Sequence, residues 1–284
     1  MEQELLGLLG YPLGHTVSPI LHRVAGESFG MDIVYLPFEV KGHCLGDALK
    51  GLQVLGFTGC NVTIPYKEEI LRFVDEKSDV VELLGAANTL SFRGGRVIAD
   101  NTDWEGFLSA WRDAGLCEIE GKSAVVLGAG GAADAVVYAL VESGVKSVMV
   151  FNRNRDRALE LIEKFKDKYP HIEGNAYSLN NHPKFANLLK STDILINTIP
   201  VGMFPDTDRM PVKIPKKINP NLNFFDLIYN PGETMLMSQL KARGIKVSGG
   251  LGMLVHQAAF AFKKWFGLLP DAGKMHEAAC KQLE

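Results

Sequence analysis

Cysteine is scarce. The four in 284 residues, Cys44, Cys60, Cys117 and Cys280, form neither a CxxC pair nor a tight cluster. That excludes a disulfide framework and a thiolate zinc site, and it predicts reduced, mostly buried thiols of a cytosolic protein. The seven histidines show no HExxH or similar spacing, so no metal centre is expected. Excess charge of one sign is also missing. A formal net charge of −3 gives no electrostatic ground for a nucleic-acid or membrane partner. The chain opens Met1-Glu2-Gln3-Glu4, acidic where a signal peptide is basic. One long apolar stretch, residues 124–141, contains Asp134 and a glycine cluster. It reads as buried strand, turn and helix rather than a membrane span. There are no internal repeats and no low-complexity segments. A soluble, cytoplasmic protein is the expectation.

A hydrophobic fraction of 46% against 22% charged residues is ordinary globular composition, sufficient for a sizeable core. The length suggests two domains or one large α/β unit. Apolar runs predict strands at 5–9, 33–40 and 59–64, with helices at 19–29 and 45–55 between them. A hairpin is expected over 89–92 and 96–99, joined across Arg93-Gly94-Gly95. Strand–helix alternation argues for a mainly parallel sheet covered by helices. Trp104, Phe107, Leu108 and Trp111 fall at i, i+3, i+4 and i+7, one apolar helix face, with Asp103 at the N-cap position. That helix is a sensible domain boundary. Further strands are predicted at 124–127, 148–151, 194–197, 224–227 and 245–247, and helices at 158–165, 252–266 and 271–282. The division expected is 1–103 plus 237–284 for one domain and 104–236 for the other.

Three stretches carry chemistry. In Asn61-Val62-Thr63-Ile64-Pro65-Tyr66-Lys67, Pro65 suits a first helical position. This predicts Lys67 in the first turn of a helix, where the macrodipole disfavours a cation by about 0.3–1 kcal/mol. Glu68 and Glu69 partly offset the cost. The bland alternative is a solvated lysine.

Gly128-x-Gly130-Gly131-x-Ala133 follows an apolar strand without a gap and precedes a helix. In that context the glycines permit a tight turn and close approach of a pyrophosphate to the helix N-terminus. At the end of the next strand an NAD site wants an acidic residue, and here Asn152-Arg153-Asn154-Arg155 stands instead. A guanidinium matches a 2′-phosphate in geometry and charge, so NADP is the cofactor predicted. A solvated basic turn is the alternative.

The third set is scattered over strand ends and loops: Thr16, Ser18, Asn61, Thr63, Lys67, Asn88 and Asp103. Each has a structural explanation, Ser18 and Asp103 as helix caps and Asn88 as a turn former. Together they suit a small polyhydroxy acid, with one ammonium and one carboxylate to manage a proton.

These motifs resemble the shikimate dehydrogenase family. The resemblance rests on nine segments in order. They are Gly10-Tyr11-Pro12-Leu13-Gly14-His15-Thr16-Val17-Ser18-Pro19, residues 61–67, Gly85-Ala86-Ala87-Asn88-Thr89, Asn101-Thr102-Asp103, residues 128–133, Asn152-Arg153, residues 197–203, residues 226–231 and residues 249–257. The resemblance implies an α/β fold of two domains. One is a substrate domain and the other a Rossmann-type NADP domain, with the C-terminal helices returning to the first and the active site in the cleft between them. It implies reversible, NADPH-dependent reduction of 3-dehydroshikimate to shikimate in aromatic amino-acid biosynthesis. Thr16 and Ser18 would hold the substrate carboxylate. Asn61, Thr63, Asn88 and Gln257 would bind ring hydroxyls, with Tyr229 nearby, and Lys67 and Asp103 would be the catalytic pair. Gly128, Ala129, Gly130, Gly131 and Ala132 would carry the pyrophosphate, and Asn152, Arg153 and Arg157 the 2′-phosphate. Gly250 and Met253 would lie near the nicotinamide.

Three positions depart from the family pattern. Thr16 stands where serine is usual, Asp134 where arginine is common and Asn154 where threonine is common. A carboxylate near a 2′-phosphate repels it unless turned elsewhere. Two other readings stay open: a catabolic quinate/shikimate dehydrogenase using NAD, and a non-catalytic NADPH-binding sensor. Oligomeric state is also open, a homodimer included.

Overall fold

Val62 and its apolar neighbours form strands because their side chains are buried between a sheet and its covering helices. The computed structural model describes residues 3–14 and 16–283. Met1 and Glu2 of the acidic opening, His15 of the first loop, and Glu284 lie outside the described residues. The chain divides into two units, Met1–Gly106 with Val255–Glu284, and Phe107–Leu254.

Unit 1 runs β1 (Gln3–Gly10), α1 (Ser18–Glu27), β2 (Asp32–Glu39), α2 (Leu45–Val54), β3 (Gly59–Val62), β4 (Glu76–Lys77), α3 (Asp79–Leu84), β5 (Thr89–Arg93) and β6 (Arg96–Asp100). Its sheet has the order β2-β1-β3-β5-β6-β4. β1 is parallel to β2 and β3, and the β5–β6 hairpin joins antiparallel to β3. Leu9, Leu45, Leu49, Leu52, Cys60 and Leu90 form a core on one face of this sheet, under α2. Each fully buried leucine contributes roughly 1.5–3 kcal/mol relative to exposure.

The chain enters unit 2 within α4 (Asp103–Asp113). There follow β7 (Ser123–Leu127), α5 (Gly131–Glu142), β8 (Ser147–Asn152), α6 (Arg155–Lys166), β9 (Glu173–Ser178), α7 (His182–Leu188), β10 (Ile194–Asn197), β11 (Asn223–Asp226), α8 (Met235–Lys241) and β12 (Lys246–Ser248). The sheet order is β12-β11-β10-β7-β8-β9, all parallel. Counted from β7, that is the doubly wound dinucleotide-binding order, with the switch point between β7 and β10. Phe107 and Trp111 of α4 bury their rings against Phe225. The chain returns to unit 1 within α9 (Leu251–Phe266), and α10 (Ala272–Leu283) packs on α1.

Four expectations need correction. Residues 237–254 group with unit 2, not with the first domain, because Lys246–Ser248 extends the second sheet beside β11. Lys67 is not in a helix. The Ile64–Pro65 peptide is cis, and the Tyr66 N–H donates to the Thr63 carbonyl at 2.9 Å, closing a turn. Only a 3-10 helix follows, at Glu69–Phe73, so no helix N-terminus presses on the lysine. Asp103 is the first residue of α4 rather than its cap, and its carboxylate is engaged elsewhere. Ser18 likewise begins α1 without capping it. Of the four cysteines, all unpaired, Cys60 is buried and the other three are half-buried. Among the described residues no helix is long and apolar enough to cross a membrane.

Candidate active site

Asn88, which precedes β5, is the hub of the unit 1 cluster. Its side-chain Oδ1 accepts from the Thr102 N–H and the Thr89 hydroxyl, each at 2.8 Å. Those two donors fix which way the amide faces. Its Nδ2 therefore points at Asp103 Oδ1 (2.8 Å), Thr102 Oγ1 (3.0 Å) and Gln257 Oε1 (3.2 Å). Gln257 comes from α9, so the cluster joins chain segments far apart in sequence. The Ala87 N–H donates to the Lys67 carbonyl and the Val62 N–H to the Asn88 carbonyl, tying the turn and both strand ends together.

Lys67 Nζ donates to Asp103 Oδ2 at 2.6 Å, with the two side chains only 15% and 6% exposed. That burial removes the solvated-lysine reading, since a lone ammonium is not desolvated without a partner. Asn61, in β3, donates to the Asn88 carbonyl (3.0 Å) and Thr89 Oγ1 (3.2 Å) and accepts from the Tyr35 hydroxyl (2.9 Å). The Thr16 hydroxyl donates to Ser18 Oγ at 3.1 Å, and the Ser18 N–H donates back to Thr16 Oγ1. Thr63 gives its backbone to the turn and its N–H to the Leu9 carbonyl.

Two residues of this region escape a sequence reading. His22 lies four residues after Ser18 on the same face of α1, is fully buried, and stacks on the Tyr35 ring at 4.5 Å. Neither ring nitrogen meets hydrogen-bond geometry. Burial brings its pKa down to about 3, the Asn61 side chain pulling the other way. Burial pushes the Tyr35 phenol well above its ordinary range, Cys60 adding to the shift and the Ser18 hydroxyl opposing it. The i, i+4 spacing of Ser18 and His22 is the one signal the sequence offered.

In unit 2, Gly128 has φ of +107°, and a Cβ there would collide with Thr198 Oγ1. Only glycine fits that turn. Nothing lies within 4 Å of where a Cβ on Gly130 would stand, and α5 begins with no side-chain cap. An uncapped first turn beside that open space, flanked by Ala129, Gly131 and Ala132, fits a pyrophosphate. At the end of β8, Arg153 and Arg157 are exposed and Asn152 donates to the Asn154 carbonyl. Asn154 caps α6, its Oδ1 accepting from the Asp156 and Arg157 N–H groups. Asp134 is buried and ion-paired with Lys164 of α6. Its charge is thereby matched within the protein.

The ends of β10 and β11 are locked by Asp226, which is fully buried. Oδ1 accepts from Asn197 Nδ2 (2.9 Å) and the Ile228 N–H (3.1 Å), and Oδ2 from the Thr234 hydroxyl (2.8 Å). Burial pushes this carboxyl above its ordinary range, with the same three donors pulling back. The loop so held carries Tyr229, which belongs to unit 2 and not to the Asn88 cluster. Gly250 donates to the Ile228 carbonyl at 2.9 Å, and a Cβ there would collide with the Leu227 carbonyl, so this strip follows the loop closely. Met253 is buried just beyond it.

A dinucleotide-binding sheet and a buried lysine–carboxylate pair define an α/β, nucleotide-dependent oxidoreductase. Family models match accordingly: a shikimate dehydrogenase substrate binding domain over residues 8–90, a shikimate/quinate 5-dehydrogenase over 112–227, and a shikimate 5′-dehydrogenase C-terminal domain over 250–280. The shikimate dehydrogenase (NADP+) of Methanothermobacter thermautotrophicus is 41% identical, covering 98% of this chain and 96% of its own. That of Methanopyrus kandleri is 38% identical, covering 99% and 97%. Among solved structures, the Thermus thermophilus shikimate 5-dehydrogenase in complex with NADP(H) and shikimate superposes with a TM-score of 0.86. It is 35% identical and covers 98% of this chain and 99% of that one. The chain belongs to the shikimate dehydrogenase family.

Proposed function

We propose that this chain is an NADP-dependent shikimate dehydrogenase, reversibly reducing 3-dehydroshikimate to shikimate in aromatic amino-acid biosynthesis. The observation that carries the reading is the buried Lys67–Asp103 pair, bonded to the Asn88 hub amid hydroxyl and amide side chains. An ammonium, a carboxylate and neutral donors are the groups a polyhydroxy keto acid requires.

Held by the turn at residues 128–132 and by Asn152, Arg153 and Arg157, NADPH would supply the hydride for reduction of the C3 carbonyl. Lys67 has three N–H donors, one directed at Asp103, and directs another at the carbonyl oxygen, where negative charge develops. It then gives that oxygen its proton, and takes it back in the reverse direction. Asp103 holds the ammonium in place and accepts from a ring hydroxyl. Asn61, Thr63, Asn88 and Gln257 bind ring hydroxyls, Tyr229 is a further substrate-binding residue, and Thr16 and Ser18 take the carboxylate. Gly128, Ala129, Gly130, Gly131 and Ala132 seat the pyrophosphate and Asn152, Arg153 and Arg157 the 2′-phosphate. Gly250 and Met253 border the nicotinamide. Four unpaired cysteines support a cytoplasmic location.

The test is chemical identification of the product. Purified protein given 3-dehydroshikimate and NADPH should form shikimate mole for mole with cofactor consumed. No shikimate by mass spectrometry would overturn the reading.

A further inference from the structure

Tyr35 and His22 sit behind the polar groups of unit 1, and neither belongs to the substrate set. Tyr35 comes from β2 and Asn61 from β3, both bonded to β1, in registers that put Tyr35 opposite Leu6 and Asn61 opposite Leu8. Residues two apart on a strand share a face, so the phenol and the amide are on the same side of the sheet. The Tyr35 hydroxyl donates to Asn61 Oδ1 at 2.9 Å. With Nδ2 directed at Asn88 and Thr89, the Asn61 amide has its donors committed to the protein. Only its oxygen retains capacity for a ligand. The angle at which that oxygen is offered depends on the phenol.

The phenol is itself held by stacking. His22 lies parallel to the Tyr35 ring within 8°, and its ring also meets the Trp265 ring of α9, tilted, at 5.2 Å. Trp265 is anchored by its indole N–H on the Leu90 carbonyl at 2.9 Å. A neutral imidazole stacked on the phenol and packed against the indole acts as a spacer.

We propose that Tyr35 is a positioning residue for substrate recognition: its hydroxyl sets the Asn61 amide against the ring hydroxyl it binds, and His22 keeps the phenol in register. This rests on the shikimate reading above. Tyr35→Phe removes one oxygen and leaves the stack in place. The KM for shikimate should rise about five- to tenfold, the scale of one lost neutral hydrogen bond, with kcat and the KM for NADP within about twofold. Because the effect runs through Asn61, the same change in an Asn61→Ala background should leave the shikimate KM unaltered. His22→Phe, which preserves stacking, should keep the wild-type KM.

A shikimate KM that does not rise in Tyr35→Phe, or an equal rise in the Asn61→Ala background, overturns the proposal. So does a His22→Phe variant with the same rise. Wild-type protein without shikimate turnover would overturn the functional reading and this proposal together, whereas wild-type turnover with an unshifted variant overturns the proposal alone.

Discussion

Asn88 Nδ2 bonds Asp103 Oδ1 at 2.8 Å, on the opposite oxygen from the one that takes the Lys67 ammonium at 2.6 Å. The carboxylate is gripped from both sides, and the amide that grips it is oriented by the Thr102 N–H and the Thr89 hydroxyl. Replacing Asn88 by alanine leaves several buried groups without partners. The Asn88→Ala variant should lose about 2–4 kcal/mol of stability in denaturant titration, at about 1–3 kcal/mol per unmet buried group. A loss below about 0.5 kcal/mol, the size of an ordinary surface substitution, would show that the hub is not structural.

Lys67→Ala removes the proposed proton donor and leaves the proposed hydroxyl-binding groups in place. Turnover should fall by about 10²–10⁴, with the shikimate KM within a few-fold of wild type. Near-normal kcat in steady-state assays would take the lysine out of the chemistry.

His22 makes stability depend on pH. Its folded pKa of about 3 lies below the unfolded value of 6.5. Below pH 6.5 the unfolded chain binds a proton that the folded one refuses, so stability is complete above that pH and is lost as pH falls towards 3. The slope contributed approaches about 1.4 kcal/mol per pH unit. Denaturant midpoints of wild type and His22→Phe, measured between pH 7 and pH 5, should diverge in this sense. Parallel curves would contradict the burial argument.

The apolar runs of β1, β7, β8 and β10 were legible because strands buried on both faces carry little but aliphatic residues. The edge strand β9, Glu-Gly-Asn-Ala-Tyr-Ser, was not, since it buries only Ala176 and has no apolar rhythm. The short α3, at six residues, is too brief to show a helical period in sequence. Pro65 misled in another way. Proline serves helix starts and tight turns alike, and the deciding hydrogen bond, Tyr66 to Thr63, is not visible in composition. In the site, Lys67, Asp103 and Asn88 stood out as motif residues and the first two as a pair, but the bonds that make Asn88 their hub did not. Tyr35 and His22 escaped altogether. A tyrosine in a strand reads as ordinary core until β1 brings β2 and β3 together and places it against an asparagine 26 residues away.

On the cofactor side, Arg153→Ala should raise the KM for NADP by about ten- to a hundredfold and leave that for NAD nearly unchanged, as loss of one charge-assisted bond requires. Asp134→Asn should alter the NADP KM by no more than about twofold, a small change on the free-energy scale, because Lys164 already matches that charge. A large gain in NADP affinity from Asp134→Asn would mean that the carboxylate repels the 2′-phosphate after all.

The most direct measurement is absorbance at the reduced-nicotinamide band with shikimate or quinate, and NADP or NAD, in all four pairings. The assignment predicts turnover mainly with shikimate and NADP, from the Lys67–Asp103 pair and the arginines at the end of β8. Comparable or faster turnover with quinate or with NAD would contradict it. In that case Thr16, Asp134 and Asn154 would mark an enzyme of the catabolic type.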